Sequence, residues 1–183
     1  INAGTACTAT ATWAVPTFSD NCAGGAITTT HAPGSTFALG TTIVTYTATD
    51  AAGNSATCSF NIVVEDHTNP VIAGCPSNQT VNAGAACTAT ATWTAPTFSD
   101  NCSGASITTT HAPGSTFALG TTTVIYTATD AAGNTATCSF AIVVEDHTNP
   151  VIAGCPSNQP INAGAACTAT APWTAPTFSD NCT

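Results

Sequence analysis

The sequence predicts an all-β protein, a tandem array of antiparallel two-sheet sandwiches, and three observations carry that prediction. Residues 46–76, YTATDAAGNSATCSFNIVVEDHTNPVIAGCP, return almost letter for letter as residues 126–156. A fixed period, here about 80 residues, marks an array of like modules. Apolar and polar residues alternate at period two along several segments, as they do on half-buried strands. Ten regularly spaced Cys in 183 residues fit a disulfide framework, which modules near the lower size limit for a self-sufficient core require.

After two full periods a third copy begins, and residues 161–183 repeat residues 1–23. The expected modules are 1–66, lacking its first strand, 67–146, complete, and 147–183, the N-terminal part of a third. The stretch reads as a window on a longer array. In the middle module, Pro70 imposes an extended start, residues 71–75 form a first strand that Pro76 stops, residues 79–82 continue it, and Ala83-Gly84 turns. Residues 87–93 alternate, with Cys87, Ala89, Ala91 and Trp93 on one face and Thr88, Thr90 and Thr92 on the other. Pro96 and Ser99-Asp100-Asn101 make a loop, residues 107–110 a weak strand and residues 112–115 a turn. Phe117 and Leu119 point inward, as do Val124, Tyr126 and Ala128 of the next strand. Residues 130–134, DAAGN, connect a hairpin, with Asp accepting backbone N–H bonds and Gly and Asn tolerating positive φ. Ala136, Cys138, Phe140, Ile142 and Val144 form the inner face of the last strand. About seven short strands, with turn signals every 8–12 residues or so and no helical period, argue for an immunoglobulin-like sandwich. Pro172, where the previous repeat has Thr92, removes a ladder donor and places that strand at an edge or breaks it. The short connector EDHTNP predicts stacking end to end as a semi-rigid rod.

Nine acidic residues with no Lys or Arg give a net charge of −9. Nothing is present to neutralise phosphates, so nucleic acid is excluded as a partner and anionic lipid surfaces are disfavoured. No apolar run approaches the 18 or so residues that span a bilayer, and no signal peptide is visible. The cysteines point to an oxidising, extracellular compartment.

At this point the motifs TNPVIAGCPSNQTVNAG, WTAPTFSDNC, GSTFALGTTTVIYTATDAAGN and TCSFAIVVED resemble, in order and across the whole chain, the hyalin repeat (HYR) family. The resemblance implies an immunoglobulin-like extracellular module used in tandem by adhesion and surface proteins. It implies a structural or adhesive role and brings no catalytic residue with it. The absence of Lys and Arg is unusual for the family. Four Cys per module allow three pairings. In an immunoglobulin-like sandwich the first and last strands run side by side, which pairs Cys75 with Cys138. Cys87 with Cys102, Cys7 with Cys22 and Cys167 with Cys182 are the expected local pairs. Cys58 and Cys155 then pair outside residues 1–183, or between chains, with a first strand donated from one subunit to the next along a fibre.

The acidic connectors are the candidate metal sites. Glu65, Asp66 and Asn69, and again Glu145, Asp146 and Asn149, offer the oxygen ligands that suit Ca²⁺, and Asp20, Asp50, Asp100 and Asp130 could join them if near a junction. The competing reading is a solvated acidic linker. His31, His67, His111 and His147 are isolated loop residues, and no nucleophile elbow accompanies any Ser, so no enzyme and no required cofactor is expected. Trp13, Trp93 and Trp173 read as core residues near disulfides, or else as sugar-stacking platforms. Glycan acceptors are Asn78 and Asn101, with Asn181, and Thr108, Thr109 and Thr110 for O-linked sugars. The expected function is a segment of an extracellular filament or stalk made of copies of one module. The alternative is a calcium-dependent or carbohydrate-binding adhesin repeat.

Overall fold

The computed structural model describes residues 1–182, and among them there is no helix. The strands of this stretch follow in order: β1 (Thr8–Thr10), β2 (Ala26–Thr29), β3 (Thr36–Ala38), β4 (Gly40–Thr49), β5 (Ser55–Val64), β6 (Val71–Ala73), β7 (Gln79–Asn82), β8 (Thr88–Thr90), β9 (Thr97–Ser99), β10 (Ser106–Thr109), β11 (Thr116–Ala118), β12 (Gly120–Thr129), β13 (Thr135–Glu145), β14 (Val151–Ala153) and β15 (Thr177–Ser179). The chain forms tandem immunoglobulin-like sandwiches, and it divides into two compact units.

The first unit comprises Ile1–Cys75, Pro96–Thr110 and Ile125–Cys138. Here β4 lies between β2 and β5, and β1 pairs with β3. All these pairs are antiparallel. Period-two alternation sends Val44 and Tyr46 of β4 inward, where they meet Phe37, Val64, Ala3 and Ala11. Trp13 lies against this core. Its ring meets Phe60 edge-on with centroids 5.2 Å apart, and its Nε1–H donates to the Tyr46 hydroxyl at 2.8 Å. A large aromatic is thus half-buried with its one polar group satisfied. In the same unit β6 pairs with β9, and β10 with β12.

The second unit comprises Pro76–Ala95, His111–Val124 and Ser139–Thr183. Its strand pairs are β7–β13, β8–β11 and β14–β15, and Ala83, Ala91, Phe117, Val124, Phe140, Ile142 and Val144 are buried. Trp93 repeats the aromatic packing of Trp13, with its ring 5.1 Å from Phe140 and 6.3 Å from Phe117.

Four sequence expectations change. The first strand does not run beside the last along its length. Gly74, at φ 75°, and Pro76 break it, so that β6 joins β9 while β7 joins β13, and the latter pair is parallel. Residues 97–99, expected as loop, are the strand that receives β6. Leu119 is 44% exposed rather than inward, because Gly120, at φ 102°, resets the alternation after Phe117. The alternating segment 87–93 is a strand only at Thr88–Thr90, where the Ser115 carbonyl and the Gly114 N–H take over the ladder at Ala91. The corresponding residues 168–170, near Pro172, form no strand.

The disulfides also differ. Cys75 is joined to Cys138 with Cα atoms 6.0 Å apart. Cys7, however, pairs with Cys102 rather than Cys22, and Cys87 with Cys182 rather than Cys102. Cys22, Cys58, Cys155 and Cys167 are free and exposed. The reason is local. Cys7 and Cys87 sit in left-handed turns at φ 58° and 56°, closed by hydrogen bonds to the carbonyls of Gly4 and Gly84. Cys167, free, has φ 55°, so the turn and not the bond sets that conformation.

Both hairpin turns are held by a carboxylate. Asp50 Oδ1 accepts from the N–H of Ala52 at 2.9 Å and of Asn54 at 2.8 Å, and Oδ2 accepts from Asn54 Nδ2 at 2.7 Å. These bonds, the Asn54 side chain first, hold the Asp50 carboxyl below its ordinary value of 3.8. A depressed value in the fold means stability that is complete above the unfolded value and is lost as pH falls through the folded one. The Asp50→Asn, Asp130→Asn double variant should therefore melt below the parent at pH 6, with the gap closing towards pH 2.5. A gap that is the same at every pH would assign the effect to something other than the charge. Ile142→Ala, at a fully buried position, should cost about 2–5 kcal/mol in denaturant titration, against less than half a kilocalorie or so for an exposed Thr108→Ala.

Candidate functional site

The distinctive site lies where one repeat passes into the next, inside the first unit. The alternation that buries Val64 continues past the end of β5, so Glu65 faces solvent and Asp66 turns in, only 5% exposed. Backbone bonds fix this stretch against the chain start, with Ala3 N–H to the Glu65 carbonyl at 2.8 Å and Glu65 N–H to the Ile1 carbonyl at 3.0 Å. Asp66 Oδ1 accepts from Thr68 N–H at 3.0 Å and from Asn101 Nδ2 at 3.2 Å.

Two other segments arrive at the same place. The loop after β9 brings Asp100, whose Oδ2 accepts from Cys102 N–H at 3.1 Å. The β12–β13 turn brings Asp130, 6% exposed, whose two oxygens accept from Asn134 N–H and Nδ2, each at 2.7 Å. Asn134 Nδ2 also reaches the Asp66 carbonyl at 3.0 Å. One carboxylate oxygen from each of Asp66, Asp100 and Asp130 lies within 4.8 Å of the others. Burial pushes the Asp130 carboxyl up, but the Asn134, Gly133 and Ala132 hydrogen bonds together outweigh it and hold the group below its ordinary value. Beside this cluster a cavity of about 360 Å³ is lined by residues that include Asp66, His67, Cys102 and Asn134. The Cys7–Cys102 bridge closes the junction, with Cα atoms 4.8 Å apart, and Asn101 Nδ2 also donates to the Gly4 carbonyl at 3.3 Å.

The second unit repeats these features one period later. Asn181 Nδ2 donates to Asp146 Oδ1 at 3.2 Å and to the Gly84 carbonyl at 3.4 Å, beside the Cys87–Cys182 bridge. The Asp146 carboxyl is likewise held low, chiefly by Thr148 N–H.

Of the six expected connector ligands, only Asp66 reaches the first cluster, where it meets Asp100 and Asp130 of the four loop acids named beside them. Glu65 is exposed and lies 3.2 Å from His67 Nε2, and Glu145 is placed the same way 3.0 Å from His147. Asn69 and Asn149 are exposed. Asp20 and Asp50 line a separate groove of about 250 Å³ with Phe18. His31 and His111 rest on Phe37 and Phe117, with centroids 5.2 Å apart in each case. Trp13 and Trp93 are packed into aromatic clusters and Trp173 is 63% exposed. Among the glycan candidates, the Asn101 amide nitrogen is committed to the junction, which removes it as an acceptor. Asn78 is exposed, with its Oδ1 accepting from Ala141 N–H, and Thr108, Thr109 and Thr110 are exposed. Asn101 and Asn134 are the junction residues that sequence reasoning assigned elsewhere, one to a sequon and one to a turn. The signal that could have told Asp66 from Glu65 was the inward phase of Ile62 and Val64.

The HYR domain model matches residues 2–64 and 65–144. The chain is 43% identical over 145 residues to the rat protein "Sushi, von Willebrand factor type A, EGF and pentraxin domain-containing protein 1", a match covering 75% of this chain and 4% of that one. It is 43% identical over 150 residues to hyalin of Lytechinus variegatus, covering 76% of this chain and 28% of hyalin. It is 40% identical over 139 residues to hyalin of Strongylocentrotus purpuratus, covering 72% and 12%. The chain therefore spans a small part of each relative's length. With two repeats matched by one family model and hyalin among its relatives, the chain belongs to the HYR domain family.

Proposed function

We propose that this chain is a load-bearing segment of an extracellular filament or surface stalk in which HYR modules of one kind follow one another. The observation that carries this reading is the disulfide Cys7–Cys102, which leaves one matched repeat and enters the next. Cys87–Cys182 does the same at the following junction. A binding module on a flexible string has no need of a covalent bond across each connector, whereas a tension-bearing array does. Partners are then further copies of the module, by chain continuation or through the exposed thiols of Cys58 and Cys155. Surface sugars on Asn78 and on Thr108 would solubilise a chain with 5% charged residues. Packing of Trp13 and Trp93 into aromatic clusters favours this role over sugar binding.

Force decides the matter. In the oxidised chain the shortest covalent path from Cys7 to Cys182 crosses to Cys102, runs back along the backbone to Cys87, and crosses again. Pulled across that span by optical tweezers, the oxidised chain should yield only about 50 Å of backbone, at about 3.4 Å per residue. After reduction the whole backbone from Cys7 to Cys182 carries the load, and the yield should rise to about 600 Å on the same scale. An equally long release before and after reduction would remove the load-bearing role.

A further inference from the structure

We propose that Asp66, Asp100 and Asp130 form a binding site for a divalent cation of the Ca²⁺ class, seated at the junction between two repeats. Geometry is the first support. One oxygen from each carboxylate lies within 4.8 Å of the other two. Oxygens that share a Ca²⁺ at about 2.4 Å are separated by no more than about 4.8 Å. The three acids come from separate segments, the connector, the loop after β9 and the β12–β13 turn, so their convergence is a product of the fold and not of a local acidic run.

Unsatisfied acceptors are the second, independent support. Asp66 is more than nine-tenths buried, and its Oδ2 has no hydrogen-bond partner. Asp100 Oδ1 and Asn101 Oδ1 are also buried and without one. Buried polar oxygens are normally paired, and each exception asks for a ligand. Here the missing partner must be a donor or a cation. The Asn101 amide has already committed its Nδ2 to Asp66 Oδ1, Gly4 and Cys102, which leaves its Oδ1 as a further unpartnered oxygen on the loop that carries Asp100.

Charge is the third support. Several buried carboxylates cost free energy unless a positive partner is present, and the chain has no Lys or Arg anywhere. The nearest imidazole on the connector, His67, turns its Nε2 to the exposed Glu65. An all-oxygen donor set, with room for water in the adjoining cavity, suits a hard cation and offers nothing to a soft one. An ion here would pin connector, loop and turn together next to the Cys7–Cys102 bridge. Asp146, Asp180 and Asn181, whose Oδ1 is also buried and unpartnered, repeat two of the acids and the amide one period later. The three-acid site is therefore formed once in the described residues.

The test is calorimetric titration of CaCl₂ into the oxidised, EDTA-stripped full chain, with a melting curve at each end point. We expect one Ca²⁺ bound per chain, a higher melting temperature with the ion, and weaker binding of Mg²⁺. Asp66→Asn and Asp100→Asn should each lower affinity at least tenfold, while Glu65→Gln, an exposed acid on the same connector, should leave it unchanged. If Asp66→Asn does not fold, Asp100→Asn carries the test, since one of its oxygens makes no bond in the protein. The absence of saturable heat up to about 10 mM Ca²⁺, beyond the range of weak extracellular sites, or binding untouched by Asp100→Asn, would overturn the assignment. The readout is independent of whether the chain bears load.

Discussion

Everything in this chain turns on a covalent bond that does not stay within its own repeat. A disulfide between Cys87 and Cys102 would have closed a short loop and left each module self-contained. Instead, Cys7 reaches Cys102 and Cys87 reaches Cys182, each over 95 residues, and the loops interleave. The module that receives the bond contributes Cys102 to the core of its neighbour, where it is buried with Phe37, Val44 and Tyr46. Core packing and cross-linking therefore act on the same junction. The carboxylate cluster lies beside that bridge because Asp100 stands next but one to Cys102 on one loop.

The repeat dictates which features recur and which do not. Turn, bridge and amide contacts at Gly84, Cys87 and Asn181 copy those at Gly4, Cys7 and Asn101. The amide nitrogens reach their glycine carbonyls at 3.4 Å and 3.3 Å respectively. The pairing offsets carry over as well. Counted by the same steps of 63 and 95, each of the four free cysteines has its partner position outside residues 1–183, at 58 − 63 = −5, 155 + 63 = 218, 22 − 95 = −73 and 167 + 95 = 262.

Much of the fold was legible because it obeys a short-range rule. Period two placed Val124, Tyr126 and Ala128 on one face and Phe140, Ile142 and Val144 on another, and all six are buried. The DAAGN turn was readable from Asp and Gly alone. What escaped depends on distance in space. The switch of the first strand from one partner to another at Gly74–Pro76 leaves only a Gly and a Pro as a trace. Leu119 broke the alternation because a glycine reset it. The cysteine pairing escaped because nearness in sequence is not nearness in space. Closing the long loop instead of the short one costs only about 1.6 kcal/mol more in loop entropy, too little to decide against a turn that aims Cys87 elsewhere. At the site, the connector acids were visible as a cluster, but Glu65 and Asp66 differ by half a strand repeat. Only Asp66 faces inward to meet Asp100 and Asp130, which arrive from a later loop and a later turn.

The interleaved pairing is tested most directly by cleavage of the oxidised chain on the N-terminal side of aspartate, followed by mass spectrometry without reduction. Aspartates at 20, 50, 66, 100, 130, 146 and 180 separate the cysteines well. The account predicts that fragment 1–19 is bonded to 100–129, and that fragment 66–99 is bonded both to 130–145 and to 180–183. Fragment 1–19 bonded to 20–49, with 66–99 bonded to 100–129, would contradict it.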